Sequence, residues 1–254
     1  MKELRIYKIT DAGPKENEDS CYVVQHSVST ALACMADGVS SQSEARHTSS
    51  FITEYVEDFY EEEGDHLFRC DAETVQKMMY DLVMDIHNDL LATADENGRC
   101  LGSTLDLAII GKGRMFVTHV GDSRVYLYDG KNIDKITEDQ TVEQAEKTTG
   151  IIYDIDEKRK AHTLLQCMGA GDVSPYQYEV AIPVTCDILL CSDGLTNKLT
   201  NHDLTTQLKK KQTGSDALLA LVKLAREKGE SDNITAILIR RREKPDKSQV
   251  KRTR

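Results

Sequence analysis

The chain has 254 residues, 39% of them hydrophobic, and a formal net charge of −11. That length supports a substantial core in one large domain or two small ones. The charge argues against nucleic acid or an anionic membrane as the main partner, and no apolar run approaches the ~20 residues of a membrane helix.

The N-terminus runs directly into strand-like alternation, with no apolar secretory segment. Seven cysteines, an odd number without a C-x-x-C pair, suit a reducing cytoplasm better than a disulfide framework. Residues 3–10 and 20–28 read as strands around a turn-rich Asp11–Asp19 segment, and 31–36 as a third strand closing at Asp37-Gly38. From about Ser43 the period lengthens. Phe51, Ile52, Tyr55, Val56 and Phe59 recur at helical spacing, opposite Glu57, Asp58, Glu61 and Glu62. A second helix follows Asp71, with Val75, Met78, Met79, Leu82, Val83, Ile86 and Leu90 as its buried stripe.

Strands at 103–110, 114–120 and 124–128 come next, with Gly111-Lys112-Gly113 and Asp129-Gly130 at hairpin turns. The stretch 138–160 is mostly polar, carries few core residues and reads as a lid. Strands near 176–182 and 188–191 lead to Asp193-Gly194. One helix is capped by Thr200 or Asn201, and another by Ser215, with Leu218, Leu219, Leu221, Val222 and Leu224 inside. A last strand spans 234–240, and residues 244–254 form a basic, solvated tail. Short turns make neighbouring strands antiparallel, and paired helices must cover sheet faces. The expectation is one α+β domain over residues 1–243, a four-layer α-β-β-α sandwich, monomeric in solution.

The chemistry is carried by acids. Asp37 and Asp193 end apolar strands, and Asp232 precedes another, which suggests one shared cation site. Glu18, Asp19 and Asp122 complete the acidic set. No nucleophile elbow or phosphate-binding glycine loop is present, and no histidines pair at zinc-ligand spacing. None of the cysteines has an arginine six residues on, as a cysteine-phosphatase loop requires. Oxygen-only ligands suit Mg²⁺ or Mn²⁺, and two such ions roughly 4 Å apart can activate a shared water against a phosphoryl group. Each Asp-Gly taken alone reads first as a turn, and it is the three acids at the ends of apolar strands together that shift the balance toward a cation site; Asp129-Gly130 is read as a turn only.

Segments in order along the chain resemble the metal-dependent (type 2C) protein phosphatases. They are Asn17-Glu18-Asp19-Ser20, Ala36-Asp37-Gly38, Gly102-Ser103-Thr104-Leu105, His119–Tyr126, Thr137-Glu138-Asp139-Gln140, Leu189–Leu195 and Asp232–Thr235. The resemblance implies a binuclear Mg²⁺/Mn²⁺ centre that hydrolyses phosphoserine and phosphothreonine by attack of a bridging water. Asp37 would bridge the ions and the Gly38 carbonyl bind one. Asp193 and Asp232 would complete the first ion, and Glu18 and Asp19 the second or its waters. Asp122 with Asp193 matches a third, weaker site. Phosphoproteins would be the substrates, a Ser/Thr kinase the natural counterpart, and 138–160 the variable flap.

The chain also departs from the pattern. Pro14 stands where the family has a phosphate-gripping arginine, and Lys15 is the nearest basic substitute. Ser40-Ser41 replace a glycine pair, Gln140 a histidine, Gln166 an arginine and Asn197 an acid. The missing arginine motivates a rival reading, a catalytically silent scaffold that binds phosphoproteins.

Overall fold

The computed structural model describes residues 2–39, 45–93, 102–210 and 212–243. Ser40, Ser41 and the basic tail lie outside the described residues. The strands are β1 (Lys2–Asp11), β2 (Asp19–Ser27), β3 (Thr30–Asp37), β4 (Leu105–Gly111), β5 (Arg114–Val120), β6 (Arg124–Tyr128), β7 (Ile133–Lys135), β8 (Tyr176–Ala181), β9 (Cys186–Cys191) and β10 (Ile234–Glu243). The helices are α1 (Ala45–Leu67), α2 (Ala72–Ala92), α3 (Val142–Thr149), α4 (Glu157–Lys160), α5 (Asp193–Thr196), α6 (Asn201–Leu208) and α7 (Gly214–Glu227).

The strands form two five-stranded sheets, ordered β1-β10-β9-β6-β7 and β2-β3-β4-β5-β8, with antiparallel pairing throughout. Strand parity explains how they stack. In β3 the side chains of Ala31, Ala33 and Met35 face the other sheet and meet Ile188, Leu190, Ile237 and Ile239. Leu32, Cys34 and Ala36 face the opposite way, onto Ile52, Val56, Met79, Val83 and Ile86 of α1 and α2. In β9, Leu189 and Cys191 turn outward beneath Leu204, Leu218, Leu221 and Ala225 of α6 and α7. Strands covered on both faces need apolar residues at every position, so β3 and β9 read in the sequence as continuous runs without alternation. The result is the expected α-β-β-α sandwich. Among the described residues no helix is long and apolar enough to cross a membrane.

Several sequence expectations are corrected. The 138–160 stretch contains helices α3 and α4, where the pattern gave none. Thr141 caps α3 by accepting from the Gln144 amide at 3.3 Å, and Gly150 ends it with φ 73°. Lys160 is buried at 4% exposure, its ammonium 2.9 Å from Glu146 and 2.5 Å from Glu157. That clamp, in place of an apolar stripe, ties α4 back to α3. The short edge strand β7 has Ile133 as its sole apolar residue, too little for a pattern. Asp129 behaves as the hairpin residue expected, its carboxylate accepting from the amides of Lys131 and Asn132 at 2.7 Å each.

The α7 cap is Thr213, not Ser215, and Leu219 is 57% exposed rather than inside. Thr213 Oγ1 accepts from the Asp216 amide at 3.1 Å. Thr213→Ala should therefore cost about 1 kcal/mol of stability in urea denaturation, whereas Ser215→Ala should stay within about 0.5 kcal/mol.

Candidate metal centre

Antiparallel pairing brings the relevant strand ends to one end of the sandwich. Asp19, at the start of β2, is the registered partner of Asp37, at the end of β3. Both continue the parity of Cys21, Val23, Ala33 and Met35, so their carboxyls project between the sheets. Asp193 follows β9 as the first residue of α5, and Asp232 precedes β10, the neighbour of β9. Asp122 sits in the tight connection from β5 to β6.

Backbone and polar side chains fix these ends. Thr104 Oγ1 accepts from the Asp37 amide at 3.0 Å, while Ser103 Oγ donates to the Asp37 carbonyl at 2.9 Å. The Gly38 amide donates to the Glu18 carbonyl at 3.1 Å, and Ser49 Oγ donates to that same carbonyl at 2.5 Å. Asn233 receives the Glu18 amide on Oδ1 and donates through Nδ2 to the Ala12 carbonyl, each at 2.8 Å. Ser192 Oγ donates to Asp19 Oδ2 at 2.9 Å and accepts from the Thr235 amide at 3.0 Å. Gly121 must be glycine: it has φ 107°, and a Cβ there would lie 2.7 Å from Thr104. Gln140 exchanges hydrogen bonds with Gly121 at 2.8 Å each and so fixes the turn that presents Asp122.

The electrostatics are those of uncompensated acids. The Asp37 carboxyl is held well above the ordinary carboxylate range, first by burial and then by the charges of Asp19, Asp193, Asp122 and Asp232. Burial lifts Asp19 to about 6 against hydrogen bonds that oppose the shift, and the charge of Asp193 adds to it. Asp122 is pushed to about 7 by burial and then by Asp193 and Asp139, with Arg124 pulling it back. Glu18 is raised mainly by burial, with Lys15 opposing. Asp19 Oδ1 is buried without a hydrogen-bond partner. A divalent cation answers all of these at once, and an all-oxygen donor set fits a hard one. Among the described residues no three His, Cys, Asp or Glu side chains already close on one point as a ligand set. The half-open, largely apolar pocket of about 170 Å³ beneath the α1–α2 turn, lined by Leu67, Phe68 and Val75 among others, touches none of these acids.

Lys15 reaches the site, with its ammonium 3.2 Å from Asp232 Oδ1. Asn197 Nδ2 donates to Asp193 Oδ2 at 3.1 Å. Asp139 does not join the cluster as a free acid, because Arg124 holds it at 2.8 Å and Lys135 at 3.0 Å. The sequence reading missed His162, whose Nδ1 lies 3.7 Å from Asp193 Oδ2. No spacing rule points to it, since its partner is 31 positions away in the sequence and on another element.

The profile of the family described as Protein phosphatase 2C matches residues 13–238. The chain belongs to the protein phosphatase 2C family. A relative from Listeria welshimeri, the serine/threonine phosphatase stp, is 28% identical over 232 residues, covering 89% of this chain and 90% of that protein. The crystal structure of the serine/threonine phosphatase Stp1 from Staphylococcus aureus superposes with a TM-score of 0.81 at 24% identity, over 93% of this chain and 94% of that one. The catalytic domain of the serine/threonine protein phosphatase PstP, a structure in complex with two manganese ions, gives 0.79 at 21% identity, over 96% and 100%. These structures share the phosphatase 2C fold with this chain.

Proposed function

We propose that the chain hydrolyses phosphoserine and phosphothreonine in proteins at a centre of two Mg²⁺ or Mn²⁺ ions. One observation carries this reading: Asp19, Asp122, Asp193 and Asp232 all bear electrostatically on Asp37 at one end of the sandwich. Asp37 and the Gly38 carbonyl would hold the ions jointly, with Asp193 and Asp232 on one and Glu18 and Asp19 on the other. Asp122 with Asp193 provides the place for a third. Bound there, the ions would supply Lewis-acid polarisation of the phosphoryl group and an acidified water for in-line attack. The chain itself supplies preorganisation. Asn197 orients Asp193, Ser192 orients Asp19, and Gly38 and Ser49 hold the Glu18 carbonyl, so the carboxylates are aimed before substrate arrives. Lys15 would exchange Asp232 for the substrate phosphate and contact it as a point charge, not as the bidentate fork an arginine offers.

The family membership, the phosphatase relatives and the manganese-bound fold neighbour support this reading. We place the phosphatase domain at residues 1–243, with a basic tail at 244–254 and a flap at 138–160 that shapes substrate choice. Phosphoproteins modified by a Ser/Thr kinase are the natural substrates of a cytoplasmic, monomeric enzyme of this kind. The test is phosphate release from a phosphothreonine peptide by metal-stripped protein, with and without Mn²⁺. Release is expected with Mn²⁺ alone and should be lost in Asp193→Ala. No turnover with any divalent cation, alongside retained phosphopeptide binding, would make the chain a phosphoprotein-binding scaffold.

A further inference from the structure

Helices α6 and α7 cover the outer face of the β1-β10-β9 sheet only part of the way. Tyr7, Ile9, Ala236 and Leu238 pack beneath them. The start of α7 rests on the Tyr7 ring, where a Cβ on Gly214 would come within 2.1 Å. Beyond that contact, Arg5, Arg240 and Arg242 continue the same parity on β1 and β10. They line an open pocket of about 640 Å³, with Tyr7, Gln212 and Asp216 among its other walls. The charges in it are out of balance. Arg5 and Arg240 are registered partners across the β1–β10 pair, and like charges directly opposite repel. Arg5 is 55% exposed and has a loose ion pair with Glu3 at 3.9 Å. Asp187, the buried partner of Arg240 in β9, serves both Arg240 at 3.3 Å and Arg242 at 2.5 Å. Asp216 Oδ2 accepts from Thr213 Oγ1 at 2.6 Å. Arg240 is only 8% exposed, and its Nη1 donates to the Gln212 carbonyl at 2.6 Å, yet its Nε and Nη2 have no hydrogen-bond partner. A buried guanidinium with two open donors, facing a second guanidinium, is costly unless an anion meets it.

We propose that this pocket binds a phosphate group, held between Arg5 and Arg240 with Arg242 at its edge. Guanidinium forks match phosphate oxygens two at a time, and the N-terminus of α7 in the pocket wall adds the positive end of its dipole. The bound anion supplies the acceptors that Arg240 lacks and screens the repulsion across the β1–β10 pair. The free ion and a small phosphate monoester share this chemistry. The site stands apart from the metal centre: Asp232 precedes β10, and Arg240 lies eight residues further along the chain, about 26 Å away at the rise of a strand. The inference is therefore independent of the phosphatase reading above.

The test follows the arginine Nε–H and backbone amide resonances of metal-stripped full-length protein, titrated at fixed ionic strength with inorganic phosphate and, separately, with glycerol 2-phosphate. Stripping the metal prevents both hydrolysis and binding of phosphate to an ion. Wild type is compared with Arg5→Gln, an exposed change, with Arg240→Lys, which keeps the charge beside Asp187 but loses the fork, and with Lys15→Gln at the other end of the sandwich. Affinity should fall on the order of ten-fold in each arginine variant and stay unchanged in Lys15→Gln. Tighter binding of the free ion assigns the site to inorganic phosphate, and tighter binding of the ester assigns it to a phosphate monoester. Equal affinity in wild type and both arginine variants, shifts confined to the surroundings of Lys15, or no binding of either ligand overturns the proposal.

Discussion

Asp37→Asn should abolish metal-dependent phosphate release, by at least about a thousand-fold, and yet raise the stability of the metal-stripped protein. The two effects have one cause. Asp37 stands among Asp19, Asp122, Asp193 and Asp232, and burial raises its carboxyl before their charges raise it further. The sign follows from the shifts on its neighbours. Acids lifted from 3.8 to about 6 at Asp19 and about 7 at Asp122 bind protons more tightly folded than unfolded. Their penalty is absent below about pH 4, grows as pH rises toward 7, and is complete above it, at about 1.4 kcal/mol per pKa unit. The asparagine removes one charge from the cluster while keeping the size and hydrogen-bonding reach of the side chain. A gain of roughly 1–3 kcal/mol at pH 7.5 that fades toward pH 4 is the expected result of urea denaturation in chelator. A variant less stable than wild type at pH 7.5 would mean that the acids are not mutually repelling, and retained hydrolysis would remove Asp37 from the centre.

The same charge logic separates what the sequence discloses from what it hides. Asp37 and Asp193 are visible because each ends an apolar run, and such runs arise wherever a strand is covered on both faces, as β3 and β9 are. Their convergence is harder to read. It depends on β10, the last strand, inserting between β1 and β9, a pairing of sequence-distant segments that no local pattern encodes. The 138–160 stretch is less visible still. Its α4 is held by a lysine between two glutamates, and charged residues read as surface until their partners are known. One cue was nonetheless present: Thr141-x-x-Gln144 before a glycine at 150 is a helix start followed by a stop. Thr213 and Ser215 are both good capping residues in the sequence, and the choice between them rests on which side chain meets the Asp216 amide. Pro14 is legible as a departure, but the position of Lys15 on Asp232 required the fold.

Gly194→Ala should be the most damaging small substitution at the site, although it removes no carboxylate. A Cβ at residue 194 would lie 2.0 Å from the Asn233 carbonyl oxygen. That oxygen cannot retreat cheaply. The Asn233 side chain holds the Glu18 amide and the Ala12 carbonyl, and its neighbour Asp232 has its own carbonyl bound by Arg226 at 2.6 Å. The glycine of this Asp-Gly is therefore where the first turn of α5 meets the residue before β10, and that contact sets the spacing between Asp193 and Asp232. We expect a loss of roughly 2–4 kcal/mol in urea denaturation and a clear weakening of Mn²⁺ binding by calorimetry. Gly130→Ala is the control, since Gly130 follows the hairpin Asp129 and a Cβ there would meet nothing within 4 Å. Its left-handed backbone, φ 99°, makes about 1 kcal/mol of strain the expected cost, with Mn²⁺ binding untouched. Equal losses of Mn²⁺ affinity in the two variants would show that contact at Gly194 does not set the spacing of the acids. A loss confined to Gly194→Ala would show that two Asp-Gly pairs, alike in sequence, differ by what lies opposite the missing side chain.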